Sequence, residues 1–182
     1  GVKIYDNVES RFYFSANYIN LELPNTVTLS QALDNPRQAK SSALTDDEHR
    51  DIISYRAANK TTFDLGGTHK MDVGAFAFWK ELNHPITSFV GVIGQESVNY
   101  GLYTQNSGSY KLGGHLNRYR FGTTSHLGTT DAKVWENNNG NAGVLTADAQ
   151  QNAQNVVVYG ENSFYINPKL ALVSTLQYVW SN

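Results

Sequence analysis

The chain has no cysteine, so a disulfide framework and a thiolate metal site are both excluded. It has no apolar run near the roughly 18 residues a membrane helix needs, and its mean hydropathy is -0.43. That value does not exclude a membrane β-barrel, whose strands alternate lipid-facing and lumen-facing residues and so keep the mean low. Charge is scarce and balanced, 16% of residues with a net of -2, which leaves no basic patch for a nucleic acid. No Gly-x-x-x-x-Gly-Lys-Ser/Thr loop, Gly-x-Ser-x-Gly elbow or His-Glu-x-x-His pair occurs, so nothing points to an enzyme. The start, GVKIYDN, lacks the basic residues and apolar core of a signal peptide. Either export is irrelevant or the start of the chain is missing.

What is present is alternation. From Arg50 to Glu81 two segments flank a Gly-Gly turn, with Ile53, Tyr55, Ala57, Phe63 and Leu65 on one parity of the first arm. Met71, Val73, Ala75, Ala77 and Trp79 share one parity of the second. Both arms exceed the five or six residues typical of globular strands and match the roughly nine to eleven of a tilted strand crossing a bilayer. Phe12, Phe14, Ala16 and Tyr18 form the same pattern, as do Val98, Tyr100, Leu102 and Thr104, and Leu170, Leu172, Leu176, Tyr178 and Trp180. In His115 to Thr123 and in the apolar run after Val156, parity does not say which side is apolar. The expected fold is all-β: an antiparallel up-and-down meander of about eight long strands, part of a large transmembrane β-barrel.

Period is lost from Leu23 to His49, from Leu82 to Gly94 and from Thr124 to Ala153, which reads as three long loops. Thr28 to Gln31 and Thr45 to Glu48 both have capping-box spacing, so one or two short helical turns are expected in the first, interrupted at Pro36. Short turns are expected near Asn7, Gly66, Gly108 and Pro168. Tight turns at one end and long loops at the other is the asymmetry of outer-membrane barrels. Phe63 near a tight turn, and Trp79 and Trp180 near long loops, fit two interfacial girdles.

The loop LELPNTVTLSQALDNPRQA, the hairpin ending in Glu-Leu-Asn-His-Pro, the run Ser97-Val-Asn-Tyr-Gly-Leu-Tyr103 and the segment VVVYGENSFYINPKLALVSTLQY carry a resemblance. In order and spacing they resemble the TonB-dependent outer-membrane receptors that import ferric siderophores and related metal chelates. The resemblance implies a bacterial outer-membrane location, a ferric chelate as ligand, surrounding lipid, and TonB reached through an amino-terminal plug. Plug, TonB-contacting box and terminal aromatic residue are not in this chain, and a large plugged barrel has about 22 strands. Residues 1–182 are therefore expected to be an internal portion of such a barrel, without signal peptide, plug or remaining strands, and unable to insert stably by itself.

At the long-loop end Arg37, His84 and Trp135 are candidate ligand contacts or equally bystander surface, and His84 before Pro85 reads first as a turn residue. Arg118 and Arg120, if they face the lumen, could attract an anionic chelate or pair with structural carboxylates. His49 among Asp46, Asp47, Glu48 and Asp51 is read as a solvated acidic helix start rather than a metal site, and no cofactor is implied. Two other functions compete with a transport receptor: a soluble β-sandwich or carbohydrate-binding module, and a passive porin portion.

Overall fold

The computed structural model describes residues 1–182. Eight strands run in chain order through one antiparallel sheet, each bonded to the next: β1 Val2–Tyr5, β2 Val8–Glu22, β3 His49–Gly66, β4 His69–Pro85, β5 Val92–Leu112, β6 His115–Asn138, β7 Asn141–Asn167 and β8 Leu170–Ser181. β1 and β8 are free edges, so the sheet is not closed. Two short helices, α1 Leu29–Asp34 and α2 Ser41–Thr45, lie in the connection 23–48.

No second layer covers this sheet. Of 182 residues 14 are buried, and the buried hydrophobic side chains are Ala43 and Val92. Backbone ladders hold the molecule instead, with 113 of 128 backbone hydrogen bonds inside helices and strands. Phe12 and Phe14 are each 74% exposed and Leu176 is 80% exposed. Apolar area of this extent on a monomer marks a surface that something else covers.

The register assigns every strand residue to a face, because directly paired residues project to the same side. Phe14, Ala57, Ala77, Tyr100 and Leu127 form one continuous row. Phe12, Ala75, Leu102, Val156 and Trp180 belong to the next, joined through Asn59 and Ser125. The opposite face has rows such as Glu9, Thr62, Asp72, Gln105, Gly122, Tyr159 and Gln177. The alternation expected in β2, β3, β4, β5 and β8 thus converges on one apolar face. In β6 and β7 the register resolves the open parities: Tyr119, Phe121, Val156 and Val158 join the apolar face, and Arg118, Arg120, Val157 and Tyr159 the polar one.

Two of the three expected long loops are corrected. The connection after β4 is only 86–91, and after β6 only 139–140. Residues 124–153 form ladder on both sides of that turn, with Leu127 opposite Gln154 and Lys133 opposite Asp148. Small polar residues hid this, because a strand wetted on both faces has no burial to enforce a period of two. Asn139 and Gly140 have φ of 53° and 84°, the left-handed pair of a two-residue hairpin turn. The turn expected near Gly108 lies instead at Gly113 and Gly114, with φ of 58° and 85°. Gly108 is inside β5, opposite Tyr119.

The asymmetry between ends takes a different form from the one expected. Turns 6–7, 67–68, 113–114 and 168–169 have two residues each, while the other end has the 23–48 connection and a long β6–β7 extension. In β7, residues 141–155 separate the hairpin tip from Val156, where the apolar band begins. That extension is about 50 Å of strand.

Candidate functional site

Most of the molecule's buried residues gather at that extended end. Asn137 at the tip of β6 donates through Nδ2 to the carbonyl of Asp46 at 2.8 Å and to the carbonyl of Ile86. Its Oδ1 accepts from the backbone N–H of Gly140 at 2.7 Å. One buried side chain therefore ties the connections 23–48, 86–91 and 139–140 together. Asp46 accepts from the Ser88 N–H at 2.9 Å, and Glu48 accepts from Asn25 at 2.8 and 3.0 Å. No period or motif marks Asn137 as a junction, and Asp46 and Glu48 lie in the acidic run read above as a helix start.

The first capping box forms as expected: the Gln31 N–H donates to Thr28 Oγ1 and the Thr28 N–H to Gln31 Oε1. The second does not. Thr45 ends α2, its hydroxyl donating back to the Ser41 carbonyl at 3.1 Å. Asp46 follows as C-cap and Asp47 takes φ of 50° to turn the chain into β3. The acidic run leaves a helix rather than starting one. His49 stands 3.6 Å from Asp47 and 3.8 Å from Asp51, while Asp46 and Glu48 are occupied by the buried bonds above.

The five expected ligand residues do not form one site. His84 is 7% exposed and both its ring nitrogens are engaged. Nδ1–H donates to the His49 carbonyl at 2.6 Å, and Arg50 donates to Nε2 at 3.3 Å. It braces β3 against β4. Arg37 is exposed between α1 and α2. Arg118 and Arg120 lie on the polar face near the tight turns, far from the loops. Arg118 stacks over Tyr165 at 5.3 Å; Arg120 is opposite Glu161 and Ser107 without a salt bridge to either. Trp135 pairs with Val92 on the other face of the sheet, beyond the apolar band.

The polar face is a cross-linked wall. Lys60 and Asp72 pair at 2.9 Å, Asp72 also accepts from Thr62 at 2.6 Å, and Arg11 pairs with Glu9 at 2.7 Å. Tyr159 donates to Gln105 at 3.0 Å, and Arg56 covers Phe78 at 5.2 Å. Gly74 is opposite Tyr103, Gly101 opposite Phe76 and Gly122 opposite Tyr159. In each pair the ring lies where a glycine side chain would be: an added Cβ would stand 2.2, 2.6 and 3.0 Å from the ring. Aromatic side chains thus cover the glycine gaps, leaving a surface of hydroxyls, amides and charges.

No protein-family model matches the sequence, and no curated protein matches it.

Proposed function

We propose that this chain is a section of the wall of a large bacterial outer-membrane β-barrel, and that the barrel is a TonB-coupled receptor for ferric siderophores or similar chelates. The observation that carries the reading is the course of the aromatic residues across the apolar face. Through the register, the upper line runs from Tyr18 on β2 through Trp79 and Tyr100 to Trp180 on β8, slipping six residues in six strand steps. The lower line runs from Phe63 on β3 to Phe164 on β7, slipping four residues in four steps. Both edges slip one residue per strand.

A slip of one residue, about 3.4 Å, across a strand spacing of about 4.8 Å corresponds to a tilt of about 35°, within the range of barrel strands. Between the two edges on β3, Tyr55, paired with Trp79, to Phe63 spans nine residues, about 27 Å of strand, and a 35° tilt projects it to about 22 Å. That is close to the apolar band of about 25 Å on outer-membrane barrels. A soluble sandwich would cover the apolar face with a second sheet, and this molecule has one sheet. Edges at β1 and β8 would need further strands as partners to stand in lipid. The chelate, and coupling to TonB through a plug, come from the resemblance of the loop and hairpin motifs described above.

Uptake of an iron-55 chelate by cells carrying the whole receptor tests this. The expected result is saturable uptake that stops when the proton-motive force is collapsed. Uptake that survives the collapse would instead make the barrel a passive pore.

A further inference from the structure

Above the upper aromatic line, on the face of the apolar band, β4 to β7 enclose a cleft of about 840 Å³. That is within the range of small-molecule sites, about 300–1,000 Å³. Two indoles flank it. A Cβ at Gly94 would stand 2.7 Å from the Trp135 ring, so the glycine is what lets Trp135 lie against the sheet. Trp79 stacks on Tyr55 with centroids 5.7 Å apart and 21° between planes, and its N–H donates to Glu96 at 2.8 Å.

The floor between the indoles is polar. Glu81, Glu96 and Asp131 follow one another along a single register row. Gln150 donates to Asp131 at 2.7 Å. Lys133 and Asp148 are directly opposite but form no ion pair, so both heads remain available in the cleft. Carboxylates directly side by side repel, and a row of them lowers in energy when a ligand supplies donors.

An indole platform beside carboxylates, an amide and an ammonium is the chemistry that holds a sugar. The C–H face of a pyranose packs on the ring and its hydroxyls bond in the plane to charged partners. Four carboxylates against one ammonium line the cleft, which disfavours an anionic sugar. We propose that this cleft binds a neutral or amino-bearing saccharide, stacked on Trp135 and hydrogen-bonded by Glu81, Asp131, Lys133 and Asp148. The source of the sugar rests on the barrel reading: an outward cleft just above the aromatic line sits where the headgroup of a membrane glycolipid would lie. A free oligosaccharide has the same chemistry.

The test uses the full chain in detergent micelles, titrated with maltotriose and with a glucosamine trimer. It is repeated in phosphatidylcholine vesicles with and without glucosylceramide, with binding read by tryptophan fluorescence and calorimetry. Saturable binding is expected, weakened at least tenfold by Trp135→Phe and by Gly94→Ala and unaffected by Trp180→Phe. Glu81→Gln with Asp131→Asn should weaken the amino sugar more than maltotriose, which keeps the test decisive if a tryptophan or glycine variant fails to fold. Binding of free trimers assigns the cleft to soluble glycans, and binding only with glucosylceramide assigns it to a headgroup. Absence of any Trp135-dependent or carboxylate-dependent binding overturns the proposal. Protease protection of the whole receptor reconstituted in the same vesicles reads insertion separately, so sugar binding by this chain with no insertion of the whole receptor sinks the barrel reading and keeps the cleft.

Discussion

Gly74 and Gly101 are a matched pair for asking what the glycines do, since both lie under rings on the polar face. At Gly74 an added Cβ meets the Tyr103 ring, which can swing away. At Gly101 it would also stand 2.1 Å from the backbone carbonyl of Ser125 on the next strand, which cannot. Overpacking of this kind costs typically about 1–3 kcal/mol. Gly101→Ala is expected at the top of that range and Gly74→Ala at the bottom, measured by urea unfolding in micelles. Equal costs would mean that the rings, and not backbone approach, set the requirement. The same close approach explains why Gly108 reads as a turn in the sequence: a glycine under Tyr119 is indistinguishable by type from a glycine that bends the chain.

Among the elements, the 23–48 connection is the one held by specific bonds rather than by ladder. Asn137→Ala removes partners from the Asp46 and Ile86 carbonyls and from the Gly140 N–H. Leaving buried polar groups unpaired costs about 1–3 kcal/mol, so this variant should make residues 23–48 the first site of limited proteolysis while the strands stay protected. Thr28→Ala breaks only the exposed capping box, a loss of about 1 kcal/mol, and should fray α1 without releasing the connection; amide exchange separates the two outcomes. The strands were legible wherever one face is apolar, as in Met71 to Trp79, because alternation there records two environments. They were illegible from Thr124 to Ala153, where both faces are wet and only pairing partners define the strand. The junction at Asn137 was hidden for another reason: its partners are 91 and 51 residues away in the chain, and no local pattern encodes them. Of the expected ligand residues, His84 was legible as a polar residue before a proline but not as a buried brace, since that role depends on Arg50 and the His49 carbonyl from another strand.

As the proposed section of barrel wall, the whole molecule would turn one face to hydrocarbon and the other to an aqueous lumen. Ala75 sits mid-band on the apolar face, and Thr124 is at a comparable height on the polar one. Arginine at a lipid-facing midplane position costs about 2–4 kcal/mol. In the whole receptor, Ala75→Arg is therefore expected to impair insertion by that amount, and Thr124→Arg to fold normally, as judged by the protected fraction after reconstitution. The most direct measurement places single cysteines in turn from Lys70 to Glu81 of the whole receptor, this section having none of its own, spin-labels them, and reads collision with oxygen and with an aqueous nickel chelate in lipid bilayers. A strict period of two is expected, with Met71, Val73, Ala75, Ala77 and Trp79 accessible to oxygen and Asp72, Gly74, Phe76 and Phe78 accessible to nickel. Equal nickel access at both parities would contradict it, because the apolar face would then be in water.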